Sequence, residues 1–308
     1  MSTIAQGARR RVQYIEEDEW GTREVTPVMT VIRNTGGAGI QVARGSRQSA
    51  EFRSDRAISD VRLGVQKPTL SLPFELSWGT YDDFLESALF GDWDTADILK
   101  RGTAIHAFDI EEGFTDIDVY LTMLGAMVDR FTLSLKPEGD MITGAFDFVG
   151  SQMVDPEESS GDADATAANT NPVFDSFTGY LLKDGPAWGV ATSLDLQIAN
   201  NLKANYALFS NETLGIGAGR AVITGSITAF FTEKTQIDEF LAEDECALEF
   251  QLEDQLGNTY TINLPRVVWT GNSRNVAENE ITQSIPFQAL YDETAETEIY
   301  ITRAEVST

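Results

Sequence analysis

One arrangement of elements occurs twice in this chain: a strand, a short helix with an apolar stripe, then three more strands. In the first copy Leu70, Leu72, Phe74 and Leu76 alternate with Ser71, Pro73, Glu75 and Ser77. That period of two is a half-buried strand. Thr80 and Asp83 then read as an N-cap with its acidic partner three residues on, and Tyr81, Phe84, Leu85, Ala88 and Leu89 fall on one face of an amphipathic helix. In the second copy a β-rich run over 222–231 is followed by Thr235 and Asp238 in the same capping roles, with Ile237, Phe240 and Leu241 as the stripe. Asp82, Phe84 and Leu85 recur as Asp238, Phe240 and Leu241. Strands are expected next over 104–111, 119–136 and 141–149, and again over 246–253, 259–269 and 280–291. One fold copied in tandem points towards symmetric assembly rather than chemistry.

With 308 residues, two halves of ordinary domain size can each bury a core. Alternation restarts at Leu194, Leu196 and Ile198, continues through Leu248, Phe250 and Leu252, and Gly257-Asn258 turns the chain into Tyr260, Ile262 and Leu264. The expected fold class is mainly β (α+β), with one helix per half, as a sheet sandwich or partial barrel. The expected organisation is an N-terminal arm over 1–25 that orders on a partner and a first β domain over 26–150. An acidic linker over 151–172 leads to a second β domain over 173–308. The segment 151–172 is rich in Asp, Glu, Ser, Ala and Thr, the composition of a connection. A turn is expected at 137–140.

The formal charge of -27 argues against a protein that grips nucleic acid through its phosphates, because that affinity comes from Lys and Arg displacing counterions. It does not argue against a surface that DNA slides past. The charge is uneven. Residues 1–62 hold ten Arg against eight acids, and the remaining 246 residues hold 12 basic against 41 acidic groups. Arg44, Arg47, Arg53, Arg56 and Arg62 fall in a polar stretch expected to be a long exposed loop or hairpin, and they are the candidate assembly-interface residues, suited to an acidic neighbour.

Catalytic patterns are weak. His106 is the single histidine and Cys246 the single cysteine, so the usual nitrogen and sulfur zinc sites cannot form within one chain. Gly215-Ile-Gly217-Ala-Gly219 has the spacing of a phosphate loop, but a strand follows it where a helix N-terminus is needed, so it reads as a hairpin loop. Carboxylates are too many for any pair to be singled out as glycosidase groups. No catalytic residue, cofactor or metal is expected. The N-terminus lacks the apolar stretch of a secretory signal, and the longest apolar run, over 120–128, is far short of the roughly 20 residues of a spanning helix. A soluble protein made in the cytoplasm, with no membrane contact, is the expectation.

Residues 54–93, SDRAISDVRLGVQKPTLSLPFELSWGTYDDFLESALFGDW, resemble the first block of the tail tube (major tail) proteins of long-tailed bacteriophages. The stretch from Ser193 through Leu264-Pro265, with Asn200-Asn201-Leu202 and the strand-helix unit over 221–241, resembles the second half of that family. The resemblance implies a virion protein of the tail, assembled in the host cytoplasm, built as a tandem pair of tube-type β-sandwich or split-barrel units, each with one flanking helix. Its implied partners are itself, in stacked rings, and the tape-measure, terminator and distal tail proteins, with DNA passing through without specific binding. If each chain supplies two tube-like units, three chains make a pseudo-sixfold ring; if only one half is tube-like, six are needed. A carbohydrate-binding or adhesin-type β-sandwich is the rival reading, and it predicts grouped exposed aromatics.

Overall fold

The computed structural model describes residues 4–136, 140–210 and 213–306, so the turn expected at 137–140 lies largely outside the described residues. Every strand-to-strand ladder is antiparallel. The first half runs β1 (Arg10–Glu16), β2 (Thr30–Val31), β3 (Gln41–Gln48), β4 (Val61–Glu75), α1 (Asp82–Leu89), β5 (Ile98–Lys100), β6 (Phe108–Phe114), β7 (Val119–Leu135), β8 (Thr143–Val149) and β9 (Gln152–Met153). The second half runs β10 (Gly179–Lys183), β11 (Ala191–Ala199), β12 (Lys203–Tyr206), β13 (Thr213–Gly217), β14 (Val222–Phe230), α2 (Thr235–Ala242), β15 (Glu245–Glu253), β16 (Thr259–Trp269), β17 (Ser273–Val276), β18 (Ile281–Ala289) and β19 (Tyr300–Ala304).

The two halves are wired alike. In the first, neighbouring strands run β3, β4, β8, β7, β6, β1. In the second they run β11, β14, β18, then β16 with β17, β15, β10. Chain order and spatial order correspond throughout. The pairing slips by one residue between Phe108 and Ile110 in one half and between Cys246 and Leu248 in the other. Such a bulge bends and twists the strand. The 17-residue β7 pairs with β6 up to Ala126 and with β8 from Met127, and a second slip follows between Val128 and Arg130. The result is an open mainly-β sandwich. Beyond its second bulge β7 also pairs with β11, which joins the halves edge to edge.

The core lies between the layers. Leu70, Leu72, Phe74 and Leu76 are all buried, as their alternation requires. From the other layer come Tyr14 and Phe108, and α1 closes the gap with Phe84, whose ring lies 4.6 Å from Tyr14, 5.0 Å from Phe108, 5.5 Å from Phe146 and 5.1 Å from Phe148. Edge-to-face rings of this kind bury on the order of 150–250 Å² each and add about 1 kcal/mol per pair beyond area. Pro73 sits inside β4 at little cost, because its carbonyl accepts from the Thr35 N–H and its missing donor therefore faces away from β8.

The helix caps differ from expectation. Thr80 does not cap α1; its hydroxyl bonds Ser77 and Asn169, and Tyr81 occupies the cap position without a side-chain bond to the helix, its hydroxyl donating to the Arg33 carbonyl instead. Helix α2 begins at Thr235 itself, behind Lys234. Carboxylates serve the first turn of α1 instead: Asp83 accepts from the Tyr14 hydroxyl at 2.8 Å, and Asp82 accepts from Tyr260 and Arg303. Negative charge there suits the helix dipole. Both helices end on a residue in the left-handed region, Phe90 and Glu243, whose N–H bonds Glu86 and Glu239 respectively. Matched by their ends, the helices are 153 residues apart, whereas the repeated Asp, Phe and Leu are 156 apart. Those three letters are therefore one helical turn out of structural register.

Residues 10–16, expected within an arm that orders on a partner, are strand β1, paired with β6 over seven positions. Val12 and Tyr14 are buried on one face, while Gln13 is buried on the other under Ser160 and Asp162. With both faces covered no alternation shows, which hides the strand from a periodicity argument. The acidic segment 151–172 lies along the same strands: Arg23 pairs with Glu157 at 2.8 Å, and Asp162 accepts from the Met29 N–H at 2.8 Å.

Candidate assembly surface

The hairpin of β3 and β4 leaves the body, and residues 43–63 are exposed along their whole length. All five candidate arginines are on it. Arg44 donates to the Gly64 carbonyl at 2.9 Å, and Arg47 lies directly across the ladder from Arg62. Facing like charges repel, and Asp60, 3.0 Å from Arg62, offsets this. Arg53 pairs with Asp55 at 2.8 Å, which holds the Asp55 carboxyl below its ordinary range. Arg56, with φ of 61°, is at the tip. The fold thus gathers Arg44, Arg47 and Arg62 on one stretch of ladder and leaves Arg53 and Arg56 at the end of the loop. Beside them Phe52, Ile58, Val61 and Leu63 are exposed. A charged hairpin carrying uncovered apolar side chains has the composition of a contact surface.

Helix α2 presents a second uncovered face. The whole α1 stripe is buried, but in α2 Ile237 and Phe240 are half-buried and Leu241 is 73% exposed. The difference is in the cover: α1 packs beneath β1 and is tied to the C-terminal strand β19 through Arg303, which also lies 4.3 Å over the Trp93 ring. The α2 helix is held by polar bonds, Lys183 to Glu239 at 2.5 Å and the Trp269 indole N–H to Glu239 at 3.1 Å. The amphipathic pattern of α2 was legible in sequence; its want of cover was not.

The remaining chemical candidates are structural. His106 stands between Glu16, at 2.6 Å, and Asp92, at 3.3 Å, at the surface end of the first helix. Burial pushes the Cys246 thiol up to about 12, so it is no nucleophile near neutral pH. Gly215 and Gly217, expected in a hairpin loop, are in strand β13 paired with β12. Among the described residues no group of three or more His, Cys, Asp or Glu is arranged to hold a metal ion. Nor is any helix among them long and apolar enough to cross a membrane. Trp188 and Trp269 lie tilted against each other in the core of the second half, ring centres 5.9 Å apart, and no tryptophan is exposed, so the aromatic face that a sugar-binding module needs is not formed by them.

A search of curated proteins finds no match to this chain. The family model described as "Phage tail tube protein" matches residues 7–289, which includes the arginine hairpin, both helices and both halves of the ladder. Tail tube proteins are structural components of the virion tail that assemble with themselves and other tail proteins, and a mainly-β chain with wired-alike halves and open sheet edges accords with that role. The chain belongs to the phage tail tube protein family.

Proposed function

We propose that this protein is a two-unit tube subunit, without catalytic activity, whose chains close into rings of three with pseudo-sixfold symmetry, stack, and enclose the channel that DNA crosses. The observation that carries this reading is the repeat of the ladder, with one unit joined to the next through β7 and β11. A head-to-tail junction between like units generates a ring when its rotation closes. The same repeat supports two units, one over 26–150 extended by β1 ahead of it and one over 173–308. The acidic body, at -27 overall, suits a channel wall that must not hold phosphates. The five arginines on the hairpin reach the neighbouring ring; exposed ion pairs are worth about 1 kcal/mol or less each, and repetition around the ring multiplies them. Electron microscopy of the purified protein, viewed down the ring axis with the mass per ring measured, tests this. Rings of three chains with a central channel are expected; six chains would remove the two-unit count, and sugar-binding monomers would favour the adhesin reading.

A further inference from the structure

The two halves end in edges of unequal fate. The ladder of β4 with β8 has seven pairs, Thr69 to Glu75 against Val149 to Thr143, and the ladder of β14 with β18 also has seven, Thr224 to Phe230 against Gln288 to Thr282. Laid on one another, these place Thr69 on Thr224. Across the other edge Thr69 faces Gln41 and Thr224 faces Gln197. Gln41-Val42-Ala43 is thereby the counterpart of Gln197-Ile198-Ala199, and the preceding Ile40 of Leu196. Backbone pairing alone sets Ile-Gln-Val-Ala against Leu-Gln-Ile-Ala, and the Gln and the Ala coincide. On the opposite side Ser134, paired with Thr143, corresponds to Asn275, paired with Thr282. Strand β17 is therefore the counterpart of the end of β7.

Within the chain, the end of β7 is covered by β11, with Gln197 opposite Thr132 and Leu196 opposite Leu133. The counterparts are uncovered: β17 pairs with β18 alone and β3 with β4 alone among the described residues, and all four residues of β17 are exposed. An open edge is a template for another strand. We propose that β17 of one chain pairs antiparallel with β3 of the next in the register of the internal junction, Gln41 opposite Ser273 and Ile40 opposite Arg274. This rests on the two-unit reading above and specifies its interface.

The edge is guarded in the free chain. Glu112 accepts the Ile40 N–H at 2.7 Å and is itself paired with Arg10 at 2.5 Å. A Cβ on Gly39 would stand 2.3 Å from that carboxylate, so glycine is what lets it approach. A charged side chain laid over an edge donor blocks uncontrolled strand addition. Docking of a neighbour displaces it at Ile40, while the outward N–H of Val42, two residues on, is open to pair. Because donors alternate, Gln41 and Ser273 form a non-hydrogen-bonded pair, with Cα atoms about 4.5 Å apart, within disulfide reach.

The test is the double variant Gln41→Cys/Ser273→Cys, oxidised after assembly, run on a non-reducing gel and imaged by electron microscopy. Both positions are exposed, and the native Cys246 is buried. A covalent three-chain species that collapses to single chains on reduction, and is lost when either substitution is made alone, is the expected result. A covalent six-chain species would support the edge pairing while overturning the three-chain ring. Rings without the cross-link would overturn the edge pairing and leave the tube reading standing; neither rings nor cross-link would overturn both. Val42→Pro, which removes the outward donor, is expected to abolish rings while the single chain still melts cooperatively.

Discussion

Asp109 offers a quantitative test of the first-half core. It lies on β6 opposite Ile15, is fully buried, and neither carboxylate oxygen has a hydrogen-bond partner among the described residues. Burial pushes its carboxyl from an ordinary 3.8 up to about 7; Arg23 pulls it down, and Glu17, Glu111 and Glu157 add to the rise. Below the unfolded value the proton is bound in both states and Asp109 costs nothing through ionisation. Between the two values only the folded chain holds the proton, so stability falls as pH rises. Above about 7 both states are ionised and the full penalty persists, about 4 kcal/mol at about 1.4 kcal/mol per pH unit. Asp109→Asn keeps the shape and removes the titration. Urea unfolding followed by tryptophan fluorescence at about pH 5.5 and about pH 8.5 should show wild type losing about 2 kcal/mol more than the variant between the two conditions. Parallel pH profiles for the two proteins would refute the reasoning, since the other acids, including Glu17, whose carboxyl burial also raises, are common to both.

Three further outcomes are expected. Phe84→Ala, which empties the centre of the aromatic cluster, should cost about 3–5 kcal/mol in urea unfolding. Asn200→Ala should cost about 1–3 kcal/mol by the same assay, because the buried amide donates to the Ala88 carbonyl at 3.0 Å and the Val128 carbonyl at 2.9 Å, tying α1 and β7 to the end of β11. Arg53→Glu with Arg56→Glu should shorten tubes in negative-stain images while leaving single-chain stability unchanged; tubes of full length would remove the hairpin from the contact between rings.

The class of fold, the phases of the central strands and the existence of both helices are legible in the residues, because apolar alternation is a local property. Leu70 to Leu76 and Leu248 to Leu252 face inward wherever the strand is placed. The arginine hairpin was legible for the same reason, as a run with no buried face. The cap of α1 is not legible, because Thr80 finds partners in Ser77 and Asn169, the latter 89 residues away. Strand β1 is not legible because both its faces are covered. The short β17, Ser-Arg-Asn-Val, has no apolar period at all and is a strand only because β18 lies beside it. The repeat is legible in the order of its elements; the shared Asp, Phe and Leu of the two helices fall out of register, while the in-register likeness of Ile40 to Ala43 and Leu196 to Ala199, with Gln and Ala identical, emerges only from the ladders. Side-chain pattern says which face of a strand is inside. Which edge meets which is decided by backbone N–H and C=O groups that every residue but proline carries alike, and so by the tertiary structure alone.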